Sequence, residues 1–150
     1  MQIIYRKGNI FDCNADVLVN PVNCVGVAGA GLALQFRNNC PGWFEDYKVM
    51  CDLGYVRPGH ITTYAGKNYT VYNFPTKRHW RDKSLAQDII LGMQQLIGML
   101  YHNDVKSIAI PPIGCGLGGL NWEHTRNYIA MELINVEHDF PDLWVHIFDK

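Results

Sequence analysis

Hydrophobic residues in this chain fall into short apolar runs that are separated by turn-forming residues. The runs cover residues 2–6, 16–20, 107–110 and 143–148. Each run is too short for a core helix, and the Val and Ile content favours strands. Within the runs at 16–20 and 107–110, residues 17–19 and 108–110 are apolar at every position, which is typical of strands covered on both faces. Segments 61–65 and 69–74, which Gly66-Lys67-Asn68 separates, predict a hairpin or two neighbouring strands.

Helical spacing dominates between these runs. The most regular pattern has apolar residues at intervals of four, four, three and four, namely Leu85, Ile89, Met93, Leu96 and Leu100. Ser84 and Gln87 form a capping box at its start. Pro41 can open another helix that Gly54 ends, and Asn121 can cap a later one. The alternation of strands and helices predicts a three-layer α/β/α domain.

Two loops of small residues follow two of the predicted strands. We call residues 20–31 the first glycine loop and residues 111–120 the second glycine loop. Glycine has no Cβ, so backbone N–H groups in such loops can point at a bound anion. Both loops lie at the carboxyl ends of strands, where open α/β sheets bind ligands, and together they predict a diphosphate cleft. Each loop could instead be a plain tight turn, and neither ends in the Gly-Lys-Ser/Thr of a P-loop.

The composition limits the class of protein. A length of 150 residues fits one domain that spans residues 1–150. A net charge of −1 and a pI of about 6.6 exclude a globally basic nucleic-acid binder but allow a local basic patch. The five cysteines include no C-x-x-C pair and the histidines are scattered, so neither a disulfide framework nor a metal site is predicted. We find no targeting segment or membrane-spanning run, and expect a cytoplasmic protein.

Lys77 is the residue most suited to chemistry. Arg78, His79 and Arg81 surround it in the sequence, and their like charges would lower the pKa of its amine in a partly dry site. A neutral lysine can act as a nucleophile on a sugar carbonyl or as a base. The same segment, with Trp80 and His79 as stacking surfaces, could instead be a solvated turn or a patch for nucleic-acid phosphates. The two functions are compatible if the substrate is itself a nucleic acid.

Asn23 and Cys115 are the other polar candidates in the two loops. The amide of Asn23 can donate to and accept from a sugar hydroxyl, although Asn20-Pro21 with its Asx turn would equally explain a structural asparagine here. Cys115 could form a reactive thiolate near a helix N-terminus. The alternative for Cys115 is a small residue that a tight loop tolerates.

Several of these segments resemble the macrodomain family, which binds ADP-ribose. The matching segments are Gly8-Asn9-Ile10, Val19-Asn20-Pro21-Val22-Asn23, Gly29-Ala30-Gly31 and Ile113-Gly114-Cys115-Gly116-Leu117-Gly118-Gly119-Leu120, in the family's order. The resemblance covers nearly the whole chain. It implies one macrodomain with a central mixed, mostly parallel sheet, which holds ADP-ribose as ligand or product and uses no cofactor and no metal.

The resemblance also implies a set of binding residues. ADP-ribose contacts are expected from Asn9, Ile10, Asn20, Asn23, Gly29, Ala30, Gly31, Leu32, Pro112, Ile113, Gly114, Cys115, Gly116, Leu117, Gly118, Gly119, Leu120 and Phe148. In this set Asn9 and Ile10 would lie by the adenine, and Phe148 would stack on it. Two residues depart from the family: Asn9 stands where many members carry Asp, and Gly118 stands where the branch that cleaves glutamate esters carries Asp.

One branch of the family is particularly similar. The run Asn-Phe-Pro-Thr-Lys-Arg-His-Trp-Arg at 73–81 resembles the DarG-type antitoxins, which remove ADP-ribose from thymidine bases in DNA. This implies a hydrolase with Lys77 as the catalytic residue and with Arg78, His79, Trp80 and Arg81 holding the nucleic acid. It further implies a monomer with a possible cognate ADP-ribosyltransferase toxin, in toxin–antitoxin or phage-defence systems. Hydrolysis of ADP-ribose 1″-phosphate, of O-acyl-ADP-ribose or of a glutamate ester, and binding without catalysis, are the alternatives.

Overall fold

The chain folds into six β-strands and four α-helices, and a computed structural model describes all of its residues, 1–150. The strands are β1 (Gln2–Arg6), β2 (Val17–Asn23), β3 (Thr62–Ala65), β4 (Thr70–Lys77), β5 (Ser107–Ile110) and β6 (Trp144–Phe148). The helices are α1 (Gly31–Asn39), α2 (Trp43–Asp52), α3 (Ala86–His102) and α4 (Trp122–Ile134), with short 3-10 turns at Ile10–Asp12 and Glu137–Asp139. None of these helices is long and apolar enough to cross a bilayer.

The six strands form one sheet in the order β1-β6-β5-β2-β4-β3. Neighbouring strands are parallel throughout, except that β3 runs antiparallel to β4 with Thr62 opposite Asn73. The predicted hairpin is therefore confirmed, and so is the mixed, mostly parallel sheet. β2 lies at the centre, between β5 and β4.

Helices cover both faces of this sheet. Leu18 and Val22 of β2 belong to the core shared with α1 and α2, whereas Val17 and Val19 belong to the core shared with α3 and α4. The two sets alternate because successive residues of a strand point to opposite faces. None of these four side chains is more than 3% exposed. The prediction that this strand is covered on both faces is therefore confirmed, and so is the three-layer α/β/α fold.

Two central strands extend further than their apolar runs. β2 continues through Pro21 to Asn23, and β4 continues through Pro75 to Lys77. These residues pair β2 with β4 alone, beyond the last pair between β2 and β5 at Leu18. A proline is tolerated there because one side of β2 no longer needs a ladder hydrogen bond. The extension places Lys77 at the end of a strand rather than in a loop.

The amphipathic helix is confirmed, but its predicted capping box is wrong. α3 begins at Ala86, with Leu85 at the N-cap position and no side-chain cap. Ser84 therefore lies outside the helix, and its backbone N–H donates to the carbonyl of Gly118 at 3.0 Å. The reason is tertiary: Ser84 is held by the second glycine loop, which local sequence spacing cannot reveal.

α2 also starts slightly later than its proline suggests. Gly42 takes the N-cap position in the left-handed region, with φ at 83°, so the helix begins at Trp43, two residues after Pro41. Gly54 follows the end of α2 with φ at 79°. This positive φ is the reason that glycine ends the helix there, as predicted.

Candidate functional site

The strand connections create a crevice at the carboxyl end of β2. The chain leaves β2 toward α1 on one face of the sheet, but leaves β4 and β5 toward α3 and α4 on the other face. Such a divergence between neighbouring parallel strands opens a gap at the strand ends, which is where ligands bind in α/β sheets. Both glycine loops and Lys77 lie at this edge.

The crevice is a cavity of about 490 Å³, within the size range of small-molecule sites. We call it the cleft. Its lining consists of Pro21, Val22, Asn23, Val27, Gly29, Ala30, Gly31, Leu32, Ala33, Thr76, Lys77, Trp80, Pro111, Pro112, Gly114, Gly116, Leu117 and Gly118. Lys77 is the only charged residue among them, and the lining contains no carboxylate, histidine or cysteine.

The structure brings together most of the predicted loop residues. Those that line the cleft are Asn23, Gly29, Ala30, Gly31, Leu32, Pro112, Gly114, Gly116, Leu117 and Gly118, together with Lys77 and Trp80. Those outside the lining are Asn9, Ile10, Asn20, Ile113, Cys115, Gly119, Leu120 and Phe148. The lining also includes Val27, Thr76 and Ala33, which the sequence did not single out because nothing local distinguishes them from core residues.

Cys115 does not fit the role of a reactive thiolate. Its side chain is 1% exposed in the core below the loop, beside Ile113, and its thiol donates to the carbonyl of Ile113 at 3.2 Å. Burial raises the pKa of the Cys115 thiol, so the group stays neutral. The alternative interpretation, a small residue that a tight loop tolerates, fits Cys115 better.

Phe148 does not fit the role of an adenine platform in this arrangement. The ring is 4% exposed and packs with Ile10 in the core on the α1 and α2 face. An adenine needs a free ring face for stacking, and Phe148 has none.

Asn9 is exposed, and its side chain accepts from the N–H of Phe11 at 3.0 Å, which caps the 3-10 turn. Contacts of Asn9 and Ile10 with adenine stay predictions.

Asn20 is fully buried within the sheet rather than at the cleft. It pairs in register with Asn73, whose side chain accepts from the indole of Trp43 at 2.9 Å and donates to Thr62 at 3.1 Å. The amide of Asn20 itself has no hydrogen-bond partner in the protein. Asn20 does not line the cleft, and its contact with ADP-ribose stays a prediction.

Asn23 organises the first glycine loop with its side chain. Its Oδ1 accepts from the N–H groups of Val25 and Val27 at 3.1 and 3.3 Å, and its Nδ2 donates to the carbonyl of Val27 at 2.7 Å. The hydroxyl of Tyr47 donates to this network, 2.9 Å from Oδ1 and 2.8 Å from the backbone carbonyl of Asn23. One N–H of the amide is left to meet a ligand, so Asn23 both shapes the loop and faces the cleft.

The second glycine loop presents unused backbone donors to the cleft. The N–H groups of Gly114, Gly116, Leu117 and Gly118 donate to no other protein atom, and all four residues line the cleft. Free N–H groups that converge on one space form an anion-binding surface. The loop is therefore suited to hold a phosphate through its main chain.

The opposite wall is the N-terminus of α1. Its N-cap residue, Ala30, makes no side-chain cap, so the first-turn N–H groups at Gly31, Leu32 and Ala33 are free of capping bonds. α4 differs, since Asn121 caps it by accepting from the N–H of His124. The open helix dipole at the cleft thus comes from α1, not from the helix after the second loop.

Steric contacts explain why residue 118 carries no side chain. A Cβ added to Gly118 would overlap Oγ of Ser84 and would lie 2.6 Å from the carbonyl oxygen of Gly114. An aspartate at this position would require the loop to move. A mechanism that pairs lysine with an aspartate at position 118 is therefore excluded by packing as well as by the residue present.

Lys77 lies at the end of β4 and lines the cleft. Nζ lies 3.4 Å from the carbonyl oxygen of Trp80, a long hydrogen bond. Partial burial and the nearby Lys83 lower the pKa of Lys77, while Asp82 opposes them. The predicted direction and the partly dry site are correct, but the like charge comes from Lys83 rather than from Arg78, His79 and Arg81. At a given pH, a larger fraction of the Lys77 amine is therefore neutral than in a free lysine.

The segment 77–83, which we call the basic turn, uses its cations in different ways. Arg78 donates from Nε and Nη2 to both oxygens of the buried Asp88 at 3.3 Å, which ties the turn to α3. Arg81 lies over the ring of Trp80, with Cζ 4.6 Å from the ring centroid. Trp80 is 45% exposed, and the ring of His79 is 5.4 Å away. The turn therefore offers one flat aromatic surface with a cation on it, at the mouth of the cleft.

The fold and the cleft define the class of protein: an α/β/α domain with an anion-binding cleft at the point where its strand connections diverge. The family model for the Macro domain matches residues 19–129. The chain belongs to the Macro domain family, as its loops predicted.

Individual proteins of similar sequence and structure are more specific than the family model. A Thermus aquaticus protein named DNA ADP-ribosyl glycohydrolase is 37% identical in an alignment of 147 residues that covers 95% of this chain and 40% of that protein. The solved macrodomain of Mycobacterium tuberculosis DarG is 34% identical, with a TM-score of 0.92 over 99% of this chain and 98% of that one. Thermosipho africanus DarTG, solved in complex with ADP-ribose, is 28% identical, with a TM-score of 0.85 over 97% of this chain and 41% of that one. The chain thus spans about 40% of the length of the curated relatives it matches.

Proposed function

We propose that this chain binds ADP-ribose and hydrolyses the bond that joins it to a thymidine base in DNA. The observation that carries the proposal is Lys77, the one charged residue in a cleft whose two walls present free backbone N–H groups. Similarity to relatives named DNA ADP-ribosyl glycohydrolase supports the choice of substrate.

The two walls favour one placement of the ligand. The diphosphate lies between the N-terminus of α1 and the free N–H groups of the second glycine loop, because both attract anions. The distal ribose then lies toward Asn23 and Lys77. The apolar lining at Val27 and Leu117 excludes water from the bound sugar, which strengthens electrostatic interactions there.

Lys77 has two possible parts in the reaction at C1″ of the distal ribose. Its neutral amine attacks C1″ directly, or it accepts a proton from a water molecule whose oxygen attacks that carbon. In either case the bond from C1″ to the base breaks, and the base leaves with the bonding electron pair. Where Lys77 acts as the base, its ammonium then gives the proton to the base nitrogen. Where the amine attacks, the C1″–Nζ bond forms as the base leaves, and the resulting alkylammonium gives a proton to the base nitrogen. A water molecule then hydrolyses this lysine adduct, adding its hydroxyl to C1″ and its proton to the amine, so charge and protons balance in both cases. Positioning by the two loops lowers the barrier further.

The basic turn would hold the nucleic acid next to the cleft. Trp80 and His79 offer aromatic faces for a base, and Arg81 adds a positive charge beside them. Arg78 contributes less than predicted, because its guanidinium is committed to Asp88. The target base is thus expected to stack on Trp80, while the distal ribose of the attached ADP-ribose lies in the cleft.

A binding module without turnover is the second candidate, and one observation favours it. The cleft lining has no carboxylate, so Lys77 has no acidic partner there. Hydrolysis of ADP-ribosyl-glutamate esters is less favoured, because the contact between Ser84 and Gly118 leaves no room for an aspartate in the loop.

The domain organisation, location and partner of the chain are part of the same proposal. We infer that residues 1–150 form one macrodomain that acts as a cytoplasmic monomer against ADP-ribosylated DNA. A Thermosipho africanus relative, 30% identical over 150 residues, is named as a fusion of a DNA ADP-ribosyl transferase with a DNA ADP-ribosyl glycohydrolase. A transferase toxin is therefore the partner that we expect.

The test is release of ADP-ribose from a single-stranded oligonucleotide that carries ADP-ribosylated thymidine. We expect release by the wild-type chain and a loss of at least about 100-fold in kcat for Lys77→Ala, the scale of a general base or nucleophile. Lys67→Ala is the matched control, since Lys67 lies in the turn before β4, at the opposite end of that strand. Undiminished release by Lys77→Ala would remove Lys77 from the mechanism. Tight ADP-ribose binding without release would favour the binding module.

A further inference from the structure

Lys83 ends the basic turn, and its ammonium group lies over the second glycine loop. A Cβ added to Gly119 would be 3.4 Å from Cδ and 3.5 Å from Nζ of Lys83. The same positive charge helps to lower the pKa of Lys77. Lys83 therefore places a positive charge beside the second glycine loop, outside the lining of the cleft.

The backbone next to Lys83 is held firmly against the loop. The N–H of Ser84 donates to the carbonyl of Gly118 at 3.0 Å, and Oγ of Ser84 fills the space beside the Cα of Gly118. Ser84 is 5% exposed, while Lys83 is an exposed residue. The main chain at position 83 is thus fixed by its neighbour, and the lysine side chain alone is free to move toward solvent.

No carboxylate neutralises this lysine. The ion pairs of the protein are Lys48 with Asp52, Arg78 with Asp88, and Arg126 with Asp149. Lys83 takes part in none of them, although Asp82 precedes it in the chain. Arg78, on the same turn, is already paired. Lys83 is therefore a cation that remains available for an external anion.

The position of Lys83 indicates which anion it meets. Lys83 does not line the cleft, whereas Lys77 and Trp80 do. Lys83 thus lies outside the enclosed space but close enough to Lys77 for their charges to interact, so a substrate that extends out of the cleft beside Lys77 can reach it. We propose that Lys83 binds a backbone phosphate of the nucleic acid to which the ADP-ribose is attached, an assignment that rests on the proposed function. A lysine at such a place positions the strand without reading its sequence.

Two substrates that differ only in backbone phosphates test this assignment. One is the single-stranded oligonucleotide with ADP-ribosylated thymidine, and the other is ADP-ribosyl-thymidine as a free nucleoside. The variants are Lys83→Gln and, as the matched loss of one exposed lysine charge, Lys67→Gln. Steady-state rates are measured over a range of salt concentrations on the pH plateau of each variant, and calorimetry gives the affinity for free ADP-ribose.

For Lys83→Gln we expect KM for the oligonucleotide to rise about threefold to tenfold at low salt, with kcat unchanged. The slope of log(kcat/KM) against log salt should become shallower by about 0.7, the value for one phosphate contact on a single strand. KM for the nucleoside and the affinity for ADP-ribose should equal those of the wild type. Lys67→Gln should change none of these quantities.

Two results would overturn the assignment alone. One is normal release with an unchanged salt slope in Lys83→Gln. The other is an equal loss of affinity for free ADP-ribose, which would place the contact on the diphosphate. If the wild-type chain released ADP-ribose from neither substrate, the proposed function itself would fail, and the assignment to nucleic acid with it.

Discussion

Tyr47 reaches from α2 into the loop that forms one wall of the cleft. Its hydroxyl donates to the side chain and to the main chain of Asn23, and burial raises the pKa of Tyr47, so that the hydroxyl stays protonated. The side chain that faces the ligand is thus held by a residue that does not line the cleft. No spacing in the sequence links positions 23 and 47, which is why Tyr47 was not predicted as part of the site.

Tyr47→Phe should weaken ligand binding without disrupting the fold. Loss of the hydroxyl removes about 1 kcal/mol of hydrogen bonding and leaves the acceptors of Asn23 short of a donor. We expect a fivefold to tenfold loss of affinity for ADP-ribose by calorimetry. Tyr64→Phe is the control, because the hydroxyl of Tyr64 donates to Pro41, which does not line the cleft. An unchanged affinity in Tyr47→Phe would show that Asn23 holds its position unaided.

The neighbours of Lys77 should move its pH dependence in opposite directions. If the neutral amine is the reactive form, kcat/KM rises with pH through the lowered pKa of Lys77 and then levels off. Lys83→Gln removes a like charge and should move this rise to higher pH. Asp82→Asn removes an attractive charge and should move it to lower pH. The pH profiles of the two variants measure this, and shifts in the same direction would contradict it.

A seam between the residue that follows the basic turn and the second glycine loop joins two elements at the cleft. Ser84 and Gly118 form it through one backbone hydrogen bond and one close side-chain contact. The seam fixes both the wall that offers free N–H groups and the turn that carries the exposed cation. It also accounts for the failure of the capping-box prediction, since Ser84 serves the loop instead of the helix.

Gly118→Ala should open this seam. The new methyl group would overlap Oγ of Ser84, so either the loop or the turn must move. We expect a loss of about 1–3 kcal/mol in the free energy of unfolding, the usual cost of overpacking, and at least a tenfold loss of affinity for ADP-ribose. Gly98→Ala is the matched control, because its Cβ would meet no atom within 4 Å on α3. Denaturant titration and calorimetry measure the two effects, and an unaltered affinity would show that the wall tolerates the shift.

Over the whole molecule, the sequence predicted what depends on short-range pattern. The apolar runs and the spacing from Ile89 to Leu100 suffice for strands, helix and layers, because burial repeats along each element. The two loops indicated a cleft because glycine and strand ends occur together. What the sequence did not predict arises from contacts between distant segments: Arg78 paired with Asp88, the burial of Phe148, and Ser84 held against Gly118.

The cleft walls offer main-chain donors, whereas the mouth offers side chains such as Trp80 and Lys83. An inhibitor that fills only the walls would therefore recognise any domain with similar loops, whatever its side chains. Selectivity for this protein has to come from a group that extends to the mouth, such as a flat ring against Trp80 or an anion near Lys83. The backbone character of the walls thus makes tight binding easy to achieve and selective inhibition the harder task.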